Sequence, residues 1–277
     1  MVKQFRFAVY EHYKAHGRMF TWREHITPYR VVVSEVMLQQ THTDRVAQKF
    51  DSFIEQFPTF HALAAAPFDQ LLRLWKGLGY NRRAQALQKI ARLVVDQHAG
   101  QLPDDPRALQ SFPGLGSATA ASVVAFVYNQ PTVFIETNIR TVFIYTFFSD
   151  YTGIKDIDVL PLVQQTLDRD DPRQWYYALM DYGAMLKKTV GNVSRLSAHY
   201  TKQSRFEGSD RQIRGMILQV LLDLPGLDDQ ALVAAVAKAM APKATIAKEP
   251  LRVTRILQNL CQEKFVYCRH GGWWVAR

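Results

Sequence analysis

The residues Ser111-Phe-Pro-Gly-Leu-Gly-Ser117 leave the chain little choice of local structure. Pro113, Gly114 and Gly116 are poor in a helix interior, whereas Ala118 to Tyr128 is a run of small and apolar residues that forms one readily. A tight turn must therefore feed a helix N-terminus. The unpaired N–H groups of such a start point outward and can hold a phosphate, and glycines let that phosphate reach the backbone. Val133-Phe-Ile-Glu136-Thr-Asn138-Ile-Arg140 then supplies a carboxylate. Two roles fit these residues: an ordinary connection between helices, or a clamp on a nucleic-acid backbone that hands over to a reactive carboxylate.

Composition narrows the partner. The 277 residues, 48% hydrophobic, suffice for one large or two modest domains. Lys and Arg total 34 against 25 Asp and Glu, a net charge of +9 that favours a polyanion over an acidic small molecule; a merely soluble basic surface is the alternative. Cys261 and Cys268 are too few for a disulfide framework and are not arranged as a metal site. No apolar run approaches the roughly 18 to 20 residues of a membrane span, and Met1-Val-Lys-Gln-Phe-Arg-Phe7 lacks a signal-peptide pattern. The expectation is a soluble, cytoplasmic protein, associated with the nucleoid and with no membrane partner.

Along the chain the periodicity is helical. Residues 3–16 read as an amphipathic helix stopped by Gly17, and Thr27-Pro28 reads as a cap and first turn. The helix that follows, Val31-Val-Val-Ser-Glu35-Val-Met-Leu38, is apolar on nearly every face yet carries a carboxylate. A glutamate there has either a job, a structural arginine or a solvated edge. Further helices are expected over 43–57, 60–75, 85–98, 139–148, 158–168 and 173–187. Lys76-Gly-Leu-Gly-Tyr80-Asn-Arg82-Arg83 repeats the Gly-Leu-Gly turn in weaker form. Tyr80 could wedge into a base stack while the arginines meet phosphates, or it could be packed beside surface arginines.

From Lys187 to Arg205 the chain carries Lys187, Lys188, Arg195, Lys202 and Arg205 with no acid, which reads as a basic linker. Residues 206–277 follow as a separate winged-helix-like unit: three short helices, then an alternating hairpin around a Gly271-Gly272 turn. Its third helix, with Arg252 and Arg255, would be the one to enter a major groove, unless the unit merely packs or binds protein.

Taken together, these residues resemble the helix–hairpin–helix DNA glycosylases, and within them the adenine-DNA glycosylase branch, over about residues 20–190. Ser34-Glu35-Val-Met-Leu-Gln39-Gln40-Thr41 is close to that branch's pattern. Gly77-Leu-Gly-Tyr80, Phe112-Pro-Gly-Leu-Gly116, Asn138 with its neighbours and Met180-Asp-Tyr-Gly183-Ala-Met185 also match, in the same order. The resemblance implies an all-α, two-lobed fold with the active site between the lobes. One lobe is a six-helix unit over about 27–135; the other combines 1–26 with 136–190, and the basic linker 187–205 completes a body of 1–205.

The resemblance also assigns roles. Glu35 would be the general acid toward the flipped base's ring nitrogen and then base toward water, and Glu136 would stabilise the oxocarbenium-like sugar. Gln39, Gln40 and Tyr80 would open or fill the stack. Gly114 and Gly116 would grip a phosphate, helped by a Na+ or K+ ion at the hairpin backbone near Pro113 and Leu115. Arg82, Arg83, Asn138, Arg140, Lys187 and Lys188 complete the DNA-facing set, with Arg252 and Arg255 in the terminal unit.

Departures from the family bear on chemistry. Glu136 is one methylene longer than the family's aspartate, which displaces its carboxylate by about 1.5 Å. Position 118 is alanine where relatives place lysine, serine or tyrosine, so no Schiff base forms there and no lyase activity is expected. Lys187 stands where the first of four cluster cysteines is expected, so no iron–sulfur cluster is expected either. No segment resembles the nudix-like domain; residues 209–277 occupy its place. The expected function is that of a monomeric, monofunctional base-excision glycosylase. Its partner would be double-stranded DNA with a mismatched base, most simply adenine opposite 8-oxoguanine or guanine. A thymine or uracil mismatch glycosylase and a non-catalytic DNA-binding protein are the alternatives.

Overall fold

The structure is a computed structural model that describes residues 2–240 and 250–276. Val2–His16 forms helix α1, with Phe5 and Val9 buried, and it stops at Gly17, where a Cβ would lie 2.6 Å from the Tyr13 carbonyl oxygen. The short α2 (Thr21–Glu24) leads to α3 (Pro28–Leu38). Thr27 caps α3 as its neighbours predict: its hydroxyl accepts the Arg30 N–H at 3.2 Å, and Pro28 fills the first position, where no N–H is needed. Val31, Val32, Val33, Val36 and Met37 are buried, so α3 runs through the core and brings Glu35 with it.

Six helices complete the first lobe: α4 (Thr43–Gln56), α5 (Phe60–Ala65), α6 (Phe68–Trp75), α7 (Arg82–Gln97), α8 (Pro106–Gln110) and α9 (Ser117–Tyr128). The single helix expected over 60–75 is thus two. Pro67 cannot continue a helix, and it becomes the cap position of α6, with ψ at 133°. Helix α8, started by Asp105 and Pro106, has no counterpart among the expected helices. Fully buried side chains such as Phe50, Phe53 and Trp75 hold this lobe, each contributing about 2 to 3 kcal/mol of apolar burial.

The second lobe packs α1 against α10 (Thr137–Phe147), α11 (Asp156–Thr166) and α12 (Pro172–Thr189). Gly183 of α12 sets the closest approach, since a Cβ there would stand 2.3 Å from the Asn138 carbonyl oxygen of α10. Residues beyond α12 are pinned rather than draped. A 3-10 turn, Val193–Leu196, is fixed by a hydrogen bond of 2.9 Å between the Ser194 and Thr141 hydroxyls, and Ile154 exchanges backbone bonds with Leu196 and Ala198.

The terminal unit contains α13 (Asp210–Asp223), α14 (Asp229–Met240), α15 (Pro250–Gln262) and the antiparallel pair β1 (Val266–Arg269) and β2 (Gly272–Val275). The hairpin turns at His270-Gly271, one residue before the expected Gly-Gly position. Both central residues adopt positive φ, 52° and 77°, while Gly272 sits in the ladder against the Gly226 backbone. The unit is docked on the first lobe: Phe265 meets Phe68 edge-on at 5.4 Å, and Gln85 donates to the Glu263 carbonyl at 2.9 Å.

Candidate active site

Two carboxylates from different lobes stand close enough for the charge of one to act on the other. Glu35 projects from the middle of α3 toward α9, where the Ser122 hydroxyl lies 2.5 Å from its Oε2 and 3.0 Å from the Thr119 carbonyl oxygen. Burial pushes the Glu35 carboxyl up to about 7, the Ser122 bond opposes that, and the negative charge of Glu136 adds to it. Near neutrality the group therefore holds a proton part of the time. Ser122 suits both states: it donates to the carboxylate, or accepts from the acid and turns its own proton toward Thr119. Nothing in the sequence marked Ser122, because a serine among alanines in a helix is unremarkable until its neighbour is known.

Glu136 is held differently. It is the cap residue of α10, and its Oε1 accepts the N–H groups of Asn138 at 2.8 Å and Ile139 at 3.0 Å. A longer side chain than the usual Asp or Ser thus still reaches two amides, and the positive end of the helix stabilises its charge. Lys187 donates to Asn138 Oδ1 at 2.7 Å, and burial lowers its pKa.

The hairpin has the geometry its glycines predict. Gly114 adopts φ +79°, and its missing Cβ would stand 3.0 Å from Ala86 of α7; Gly116 precedes α9 with nothing within 4 Å of where a Cβ would lie. That open side leaves the α9 N-terminus approachable. Gln39 joins the hairpin to the end of α3, its amide donating to the Gly114 carbonyl at 3.0 Å. Gln40 is exposed at φ +53°. Among the described residues no donor takes the carbonyls of Pro113 or Leu115.

Tyr80 is 37% exposed at φ +47°, just after Gly77 and Gly79, both also at positive φ. Of its two neighbouring arginines, one does not face outward as expected and the other is engaged by a carboxylate. Arg83 is buried and donates to the carbonyls of Val36, Met37, Gln39, Leu78 and Gly79 and to the Thr41 hydroxyl. These oxygens are left over at the end of α3 and in the turn, and no carboxylate joins them; burial pulls the Arg83 pKa down to about 10. Arg82 is exposed but bound to Glu263 at 2.6 Å, as is Arg214 at 2.5 Å. The hydrogen bonds from these arginines hold the Glu263 carboxyl down to about 2.

Three more arginines expected on DNA have protein partners. Arg140 grips Asp156 through two bonds of 2.6 and 2.7 Å, which tie α10 to α11. Arg252 and Arg255 of α15 both bind Asp210, at 2.6 and 2.8 Å, so the helix expected to read a groove spends these charges on its own unit. Lys188 is exposed. Between α2 and α12, Arg18 and Arg23 enclose the buried Asp181, and Arg23 also stacks over Tyr177 at 4.4 Å. A cavity of about 960 Å³ lies elsewhere, at the far ends of α3 and α9, between Tyr29, His61, His98 and Tyr128.

Residues 33–158 match the model of the HhH-GPD superfamily base excision DNA repair proteins. The chain is 32% identical over 234 residues to an adenine DNA glycosylase of Mycobacterium tuberculosis, covering 76% of this chain and 75% of that one. It is 31% identical over 195 residues to the human adenine DNA glycosylase, covering 66% of this chain and 36% of that one. In three dimensions it is similar to a thermostable thymine-DNA glycosylase, with a TM-score of 0.61 at 23% identity over 72% of this chain and 96% of that one.

Proposed function

The chain belongs to the HhH-GPD superfamily of base excision DNA repair proteins, as an adenine DNA glycosylase-like member, and on that premise we propose that it excises mispaired adenine from double-stranded DNA. It is a DNA glycosylase, and DNA is its partner. Adenine opposite 8-oxoguanine or guanine is the substrate we assign, and the observation that carries it is Glu35, a carboxyl raised to about 7 in an apolar helix. A purine leaves a sugar readily only after a ring nitrogen is protonated, and Glu35 can deliver that proton near neutral pH. Ser122 then stabilises the carboxylate left behind, which activates water as the sugar opens toward an oxocarbenium ion. Glu136, its charge fixed by the α10 amides, supports the developing positive charge.

Ala118 supports a monofunctional enzyme, because no amine stands at that position to attack the sugar. With two cysteines, both in the terminal unit, the chain has too few thiolates for a four-cysteine cluster; the pinned loop around Ser194 takes that structural place. The free carbonyls of Pro113 and Leu115 would hold Na+ or K+, which would strengthen the phosphate grip of the hairpin. We propose a monomer acting in the cytoplasm at the nucleoid.

Single-turnover excision on duplexes carrying adenine opposite 8-oxoguanine or guanine, thymine or uracil opposite guanine, and hypoxanthine tests the assignment. Excision should be fastest with adenine. Faster pyrimidine release would overturn that choice, and tight binding without excision would leave a DNA-binding protein. Borohydride should trap no covalent adduct on the abasic product.

A further inference from the structure

The terminal unit reaches back across the first lobe to one side chain. Arg211, in the first turn of α13, donates from Nη1 to the Tyr80 hydroxyl at 2.7 Å, and the amide of Gln203 donates to the same oxygen. The Arg211 guanidinium lies 5.7 Å from the Tyr80 ring centroid and that of Arg83 lies 5.6 Å away, so two cations flank one aromatic ring. Arg211 is itself anchored, donating to the Ser204 carbonyl at 2.7 Å. The residue before it, Asp210, holds Arg252 and Arg255, and Arg214 one turn on holds Glu263 together with Arg82. The first turn of α13 thus faces two ways: inward to its own unit through Asp210, and outward to Tyr80 through Arg211.

We propose that Arg211 is a positioning residue for Tyr80, and that the terminal unit acts as a brace for the stack-opening side chain rather than as an independent groove reader. This rests on the glycosylase reading proposed above and on Tyr80 entering the stack, as the family resemblance implies. The first lobe holds the backbone of this turn through Arg83 and Trp75, whereas among the described residues the Tyr80 hydroxyl is held by Gln203 and Arg211. A charge-assisted bond to its hydroxyl from a separately folded unit fixes the ring before DNA arrives, so less ordering is left to the binding step.

A double-mutant cycle on the full chain tests this, with Tyr80→Phe, Arg211→Met and the pair. The readouts are fluorescence of 2-aminopurine placed beside the mispaired adenine, single-turnover excision, duplex affinity and thermal stability. Each single variant should slow excision about tenfold and reduce the fluorescence rise, with the double no worse than either. Arg211→Lys, which keeps a donor, should recover part of the loss. Losses that multiply in the double variant would overturn the proposal, as would an Arg211→Met variant that is destabilised yet stacks DNA like the parent. Fluorescence also separates this from the substrate assignment. A parent that unstacks the base without excising it refutes the assignment and leaves the cycle readable, whereas a parent that does not unstack it refutes the brace.

Discussion

Glu35 and Glu136 share a residue type and feel one another's charge, yet the fold gives them different partners. Glu35 sits in mid-helix, where backbone amides are already used, and has a single hydroxyl for company. Glu136 sits at a helix start, where amides are unused, and takes two of them. The first environment favours the neutral form, and the second gives its side chain two donors. Burial is the larger cause for Glu35, and position along a helix decides which of the two side chains finds unused amides.

The largest test of that contrast is Glu35→Gln, which should slow single-turnover excision about hundredfold or more while leaving duplex affinity in place. The same variant should be more stable at pH 8. A carboxyl raised from 4.5 to about 7 binds its proton more tightly in the folded chain, so stability falls as pH rises through that window, by at most about 3 kcal/mol. Glutamine carries no such loss, and melting curves at pH 4.5 and 8 should show the gain only at the higher pH.

Removing Glu136 should cost excision roughly tenfold or more. Glu136→Ala should also cost about 1 kcal/mol of capping, whereas Glu136→Asn keeps the cap and loses only the charge, so the two must differ in melting temperature and agree in rate. If they differ equally in both, the cap and not the charge is what matters. Gly183→Ala probes the perch of Glu136. It should destabilise by about 1 to 3 kcal/mol, because α12 must retreat from Asn138, and should slow excision with it. The smallest effects are in pH profiles. The parent's excision should decline above about pH 7. Ser122→Ala, which removes a bond that lowers the Glu35 pKa, should move that decline to higher pH; Glu136→Asn, which removes a charge that raises it, should move the decline lower.

Much of this was legible in the chain. Thr27-Pro28, Gly17 and the 113–116 turn announce their elements through backbone chemistry that acts within a few residues. Glu35 stands out because an acid in an apolar helix is costly. Pro67 was equally legible as a break, yet the apolar stripe running across it suggests one helix. The arginines resisted sequence reading for a different reason. Whether Arg82 meets a phosphate or Glu263 depends on a residue 181 positions away, and no local pattern carries that. The phosphate-facing reading of Arg83 failed similarly, since it requires knowing that the end of α3 and the Gly77–Gly79 turn leave carbonyls side by side.

That one guanidinium has a mechanical meaning. It takes oxygens from the last turn of the acid's helix and from the loop that ends in Tyr80, so it ties the two segments together. With Tyr80 and Glu35 in the roles proposed for them, a duplex that pushes on the tyrosine would load the helix of Glu35 through that side chain.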